Sequence, residues 1–553
     1  VTATIEACDL TFTHRRARGA ALSGVDMSVG DGERVVVLGA SGSGKSTLCL
    51  ALCGLLLRGG RGAWGGSVRL RGRDVTELAT VDLAREVGIV LQDFEAQLFC
   101  TSVAQEVAFG PENLALPRPE LIRRVDTYLK LLRLESLRDR EPATLSGGQK
   151  QKLAVAAALA LEPNALIMDE ATSDLAPVTR DEVLQAARLV DSRPRTLVTV
   201  EQDSDLVAAG QRVVLMRQGR IAADGPAEET LTDVSFLTHC GIRPPRLVEL
   251  FHRLGRPERP LDVVDALDVL RRPGHRRAAP APPDPPPPAA EMITASDLHH
   301  EYDRNARPAL DGVHLTLRQG EFVALIGQNG SGKTTLAKAL SGLLRPAAGR
   351  ISVAGAPIAS LSARALAQQV GYVFQNPDHQ LFSPTVRQEV AFGPRNFGLR
   401  RAETDARVAE ALRAVRLTHR IDDDPFLLTK GERQRLAVAS VLAMRPRVLV
   451  LDEPTTGLDH EQQRDMLDTL VRLNRSGHTV VVVTHNMQLS AEFASRVLVM
   501  ADGRIVLDGS PLDVFSQPDL LAAADVTPPP LIRLADRLGV AAHTVTGLAD
   551  RLD

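Results

Sequence analysis

GQNGSGKTT, residues 327–335, decides how this chain is read. It matches G-x-x-x-x-G-K-[ST], with Gly327, Gly332, Lys333 and Thr334 in the required places. Glycines let the backbone curl so that successive N–H groups face an anion. Lys333 supplies a cation for the β/γ-phosphates of a nucleotide, and the Thr334 hydroxyl a ligand for Mg²⁺. Gln328, Asn329, Gly330, Ser331 and Thr335 complete the candidate cradle. A strand-like apolar run precedes it at 322–326 and a helical pattern follows at 336–344, so phosphates would sit at a helix N-terminus. One such stretch could be a Gly-rich surface turn. A second copy, GASGSGKST at 39–47, argues against that: Gly39, Ala40, Ser41, Gly42, Ser43, Gly44, Lys45, Ser46 and Thr47 again lie between an apolar run and a helical pattern.

The copies belong to a longer repeat. Lys45 and Lys333 are 288 residues apart, and Asp169 and Asp452 are 283 apart. PPRLVELFHRLG from Pro244 recurs as PPPLIRLADRLG from Pro528, an offset of 284. Between the copies, residues 271–290 are rich in proline and arginine, a composition that favours an extended, semi-rigid linker. The expected organisation is a domain at 1–270, a linker at 271–290 and a domain at 291–553. A chain of 553 residues is too long for one ordinary core, which agrees. Each half alternates strand-like and helical segments around its phosphate loop, so an α/β fold with a largely parallel sheet is expected.

Composition narrows the function. Hydrophobic residues are 44% and charged residues 24%, as in a globular protein. The net charge of −3 gives no electrostatic reason to bind nucleic acid, and 3% aromatics leave little for base stacking. The longest apolar run, 153–161, is far short of a membrane span, and 1–13 carry no leader pattern. The five cysteines lack a disulfide framework; Cys49 and Cys53, four apart, read as core residues rather than a metal pair.

ALIMDE at 165–170 and VLVLDE at 448–453 are apolar strands ending in acids. Asp169 and Asp452 are placed to hold Mg²⁺ through its water shell, and Glu170 and Glu453 to polarise an attacking water. LSGGQ at 145–149 opens a long helical pattern. Ser146, Gly147, Gly148 and Gln149 there make an anion site from a hydroxyl, N–H groups and a helix dipole.

With these motifs the chain resembles the ATP-binding-cassette (ABC) ATPases over both halves. The resemblance implies two tandem cassettes, each with a small C-terminal extension, paired head to tail. Each ATP with its Mg²⁺ would lie between the phosphate loop of one cassette and the signature, here LSGGQ, of the other. Gln92 and Gln375 would be the glutamines that touch metal and attacking water, joining Ser46, Thr334, Asp169 and Asp452 as metal-site residues. His485 would contact the γ-phosphate, and Tyr302, with His14 in its place in the first half, would stack on adenine. More narrowly, residues 374–399 and 93–116 are similar to the matching region of energy-coupling-factor ATPases. That likeness implies two membrane partners, a transmembrane coupling subunit and a substrate-binding subunit, at the cytoplasmic face of the cell membrane, with a vitamin or cobalt/nickel as cargo. Glu95 and Asp378 would then face arginines of the coupling subunit. The alternatives are the dual ATPase of a sugar or peptide importer, and a soluble twin-cassette ATPase acting on ribosomes or DNA. The short proline-rich linker and slight negative charge count against the latter.

The halves differ. LTKGE stands at 428–432 where the first half has LSGGQ, and Glu432 is expected to turn negative charge toward a phosphate. Glu201 is read as the counterpart of His485, and Ala176 as the counterpart of Asp459. The expectation is an asymmetric ATPase. Lys333, Asp452, Glu453, Gln375 and His485, completed by LSGGQ, would turn over; the Lys45 site, completed by LTKGE, would mainly hold nucleotide.

Overall fold

Val35, Val36, Val37 and Leu38 are consecutive and all buried, as are all six residues of Phe322–Gly327. Runs buried on both faces belong in the middle of a covered parallel sheet. The computed structural model describes residues 3–15, 19–58, 62–172, 175, 177–190, 193–271, 289–302 and 307–552. It divides into two units, Val1–Arg272 and Pro273–Asp553. Almost all of the expected linker, residues 272–288, lies outside the described residues, as does Ala176.

Among the described residues each unit has the same layers. In the first, the central sheet has six strands in the order Arg220–Pro226, Arg212–Arg217, Arg34–Gly39, Thr196–Val200, Ala165–Asp169, Val87–Val90. All run parallel except the edge strand Arg220–Pro226. In the second, Phe322–Gly327 lies between Thr479–Val483 and Arg496–Ala501 in the equivalent place. An antiparallel sheet, absent from the sequence-based expectation, covers one face; it is built on Ala3–His14 and on Glu291–His300. The phosphate-loop helices Lys45–Leu52 and Lys333–Leu340 pack between the two sheets. A helical layer, Val103–Asn113, Arg118–Leu131 and Gly147–Ala160 in the first unit, closes a separate apolar cluster against the other face. The PPxL segments form the helices Arg246–Arg253 and Pro530–Leu538, each docked by four buried apolar side chains. Cys49 and Cys53 are buried and free, and no cluster that could hold a metal occurs among the described residues. No helix among them is long and apolar enough to cross a membrane.

Candidate active sites

Each phosphate loop joins a buried strand to a helix with a glycine N-cap in the left-handed region, Gly44 at φ 104° and Gly332 at φ 102°. A Cβ on Gly332 would strike the carbonyl oxygen of Ala309, so only glycine fits. Lys45 Nζ donates to the carbonyls of Gly39 and Ala40 at 2.7 and 3.0 Å; Lys333 Nζ donates to those of Gly327 and Gln328 at 2.8 Å each. Both ammonium groups are buried, and burial pulls the Lys333 pKa down against the nearby Glu453 and Asp452. Ser43 Oγ and Ser331 Oγ, at the same place in the two loops, are buried with no hydrogen-bond partner among the described residues. Such atoms are expected where a polar ligand supplies the missing partner.

The strand-end acids fit a cation. Asp169 is buried and takes a hydrogen bond from Ser46, and its Oδ1 has no hydrogen-bond partner among the described residues. Asp452 Oδ1 accepts from Thr334 Oγ1 at 3.2 Å, and its Oδ2 accepts from the Tyr372 hydroxyl at 2.9 Å. Burial raises both carboxyls, and a divalent ion would relieve that cost. Ser46, Thr334, Asp169 and Asp452 are therefore the residues that would hold Mg²⁺, which neutralises developing phosphate charge when bound. Sequence reading missed Tyr372; Ile89 occupies its place in the first unit, so only the second acid has a phenol beside it.

Glu170 and Glu453 both turn the chain with positive φ, 52° and 48°. Glu453 Oε2 lies 2.9 Å from His485 Nδ1. Burial would raise this carboxyl, but His485 and Lys333 outweigh it and hold the group below its ordinary value. Glu170 Oε2 accepts from Gln202 Nε2 at 2.7 Å and from Gln92 Nε2 at 2.6 Å. Gln375, the counterpart of Gln92, is exposed.

Strand register corrects one expectation. Glu201 N bonds Val37 O, and Thr484 N bonds the equivalent Leu325 O. Glu201 therefore corresponds to Thr484, and Gln202 stands in the place of His485. Glu201 is buried away from that place, 3.1 Å from Arg180 on the preceding helix Pro177–Ala187 and 3.1 Å from Thr172 Oγ1. The offset of 283 between Asp169 and Asp452, carried on to Gln202, would have found this.

The signature segments differ by hydroxyl chemistry. Ser146 caps the helix Gly147–Ala160; its Oγ accepts from Gln149 N and its own N–H donates to Gln149 Oε1 at 3.0 Å. Thr429 forms the same capping box with Glu432, but its hydroxyl also donates to Glu432 Oε2 at 3.0 Å. The expectation that Glu432 turns its charge toward a phosphate is not met: it turns back to the helix cap and pairs with Arg420 at 3.1 Å. Lys430 Nζ fills the space where a Cβ on Gly457 would stand.

At the positions expected to stack on adenine the units agree. Tyr302 OH lies 3.2 Å from Thr335 Oγ1, and His14 Nε2 lies 3.5 Å from Thr47 Oγ1. Glu95 and Asp378, expected to await a partner's arginines, already have cations within their own units: Lys150 at 3.0 Å and Arg433 at 2.9 Å, from the second turn of each signature helix. Asp459 caps the helix His460–Arg475 by accepting from Gln462 N.

The family model described as ABC transporter matches residues 22–173 and 310–456, once in each unit. The chain belongs to the ABC transporter family. It is an ABC ATPase with two cassettes, binding and hydrolysing ATP. A "Putative ABC transporter ATP-binding protein" of Caldanaerobacter subterraneus is 42% identical over 96% of this chain and 95% of that protein. Another, of Methanosarcina acetivorans, is 40% identical over 95% of this chain and 89% of that protein. Among solved structures, cbiO1 from Clostridium perfringens is 34% identical and covers 44% of this chain and 99% of its own, with a TM-score of 0.39.

Proposed function

We propose that this chain energises a membrane importer of the energy-coupling-factor kind, acting at the cytoplasmic face of the cell membrane with a coupling subunit and a substrate-binding subunit. The sequence likeness at 374–399 and 93–116 supports it. The observation that carries it is a pair of exposed phenylalanines in each of these regions. Phe99 packs edge-on against Phe109 at 4.7 Å, and Phe382 against Phe392 at 4.8 Å. Phe99 is 63% exposed and Phe382 59%, in a chain where aromatics are only 3%. In the first unit the pair borders a groove of about 260 Å³ lined by Leu83, Ile89, Leu98 and Leu161. Exposed apolar surface repeated at equivalent places fits apolar helices of a partner. Capture from detergent-solubilised membranes tests this. Hydrophobic membrane proteins should co-purify, and losing them on Phe99→Ala with Phe382→Ala places the contact; ribosomes or DNA instead would overturn the reading.

The same reading makes the two sites unequal. In head-to-tail pairing the second phosphate loop, with Asp452, Glu453, Gln375 and His485, is completed by LSGGQ. The Ser146 hydroxyl keeps its proton available for a γ-phosphate oxygen. Glu453 accepts from an imidazole that can also exchange a proton. The first phosphate loop is completed by LTKGE, whose hydroxyl proton is committed to Glu432. Its Glu170 is held on one oxygen by two amides. Turnover therefore falls mainly on the second site, and the first mainly holds nucleotide.

A further inference from the structure

Gln202 sits between charged neighbours that the second unit lacks. On its N-terminal side Glu201, 4% exposed, is paired with Arg180 at 3.1 Å. Arg180 lies on the helix Pro177–Ala187 that follows the Glu170 turn, and its Nε also reaches Thr172 Oγ1 at 3.3 Å. On the C-terminal side Arg243, from the extension, pairs with Asp203 at 3.2 Å and Asp205 at 3.0 Å. The extension adds two main-chain contacts: Ser204 Oγ donates to Arg243 O at 2.5 Å, and Arg246 N donates to Asp205 Oδ1 at 2.7 Å. Ion pairs that are mostly buried, and satisfied from several sides, hold geometry rather than add stability. In the second unit the corresponding residues Thr484, Asn486 and Gln488 carry no charge, and Thr527 stands in the place of Arg243. There the segment after His485 winds into the helix Met487–Phe493, capped by Asn486. In the first unit it is only the short turn Ser204–Leu206.

We propose that Arg180 and Arg243 are positioning residues that pin the loop carrying Gln202, fixing its amide on Glu170 and making the first phosphate loop a slow, nucleotide-retaining site. This rests on the asymmetric reading above. The two arginines come from different elements, one beside the catalytic turn and one in the C-terminal extension. The backbone that carries Gln202 therefore cannot shift away from Glu170 without breaking pairs on both sides. In the second unit Thr484, Asn486 and Gln488, being uncharged, form no equivalent ion pairs beside His485.

The test uses the purified full chain carrying Glu453→Gln, so that remaining turnover reports the first site. To this are added Arg243→Thr, or Arg180→Gln with Glu201→Thr, each borrowing the second unit's residue at that position. Release of radiolabelled ATP and single-turnover hydrolysis are followed. Each clamp variant should speed release or hydrolysis about tenfold, the factor expected for losing a charge-assisted hydrogen bond that holds the loop. Arg243→Lys, which keeps the charge, should return toward the parent. A slow parent with clamp variants equally slow in both measurements overturns the clamp. A Glu453→Gln parent as fast as wild type overturns the asymmetric reading instead, and with it the role of the clamp. Hydrogen exchange on the unsubstituted chain gives a second measure if a variant fails to fold. On ATP addition, protection should change at 483–489 and stay constant at 200–206; equal changes in both overturn the proposal.

Discussion

His485 Nδ1 stands 2.9 Å from Glu453 Oε2, and this contact ties the segment after the strand Thr479–Val483 to the carboxylate that follows Asp452 in one unit. In the other unit an amide, Gln202, makes the contact at 2.7 Å. An amide can donate to the carboxylate but cannot take up a proton near neutral pH, so the two carboxylates work in different surroundings.

Exchange of the two glutamates is the direct measure of asymmetry. Glu453→Gln should lower steady-state ATP hydrolysis by about 10²-fold or more, as for loss of a group acting on the attacking water. Glu170→Gln should leave most of the turnover. Equal losses would rule the asymmetry out.

His485→Gln copies the first unit's arrangement into the second. Hydrolysis should fall by about 10- to 100-fold while the KM for ATP changes little, because the amide keeps the donor but not the proton exchange. Gln202→His in the same assay should change total turnover little, since Glu170 still accepts from Gln92.

The signature hydroxyls give a third comparison. Ser146→Ala removes a donor whose proton no described residue takes, and should cost about tenfold or more in turnover. Thr429→Ala removes a hydroxyl already spent on Glu432. It should cost helix stability of about 1 kcal/mol through the lost cap, read as a lower Tm, with turnover changed far less.

The Glu453 carboxyl makes stability depend on pH. Burial raises it and His485 and Lys333 lower it, leaving it below the ordinary 4.5. A carboxyl depressed by folding stabilises the chain above its unfolded value, and that contribution disappears as pH falls through the folded value. From pH 4.5 downward the wild-type Tm should therefore fall faster than that of Glu453→Gln. Parallel curves would remove this assignment.

Asp452 has the opposite sign. Burial raises it above the ordinary 3.8, despite the bonds from Tyr372 and Thr334. A raised carboxyl costs nothing at low pH, and its penalty grows as pH rises through 3.8 and is complete above the folded value. Asp452→Asn should raise the nucleotide-free Tm at neutral pH by about 2–4 °C while abolishing Mg²⁺-dependent hydrolysis. A lower Tm would mean the carboxylate is paid for by contacts the free chain already makes.

Both phosphate loops, the strand-end acids and the repeat were legible in the chain because each depends on local backbone. A glycine loop between a buried strand and a helix brings its own N–H groups together, whatever lies around it. LSGGQ was legible for the same reason, as a helix cap. What the chain alone did not settle was which side chain meets which across strands. Gln202 and Glu201 are neighbours on alternate faces, and a shift of one residue exchanges them; only the register against Val37 and Leu325 assigns Gln202 to Glu170. Glu432 likewise read as a misplaced charge until its helix turned it onto Arg420, twelve residues earlier. Arg180, Arg243 and Tyr372 lie far along the chain from the groups they hold, and ion pairs or hydrogen bonds between separate elements leave no periodic trace in sequence. Local geometry determined that this protein cradles nucleotide twice; the packing of distant segments decided how differently it does so.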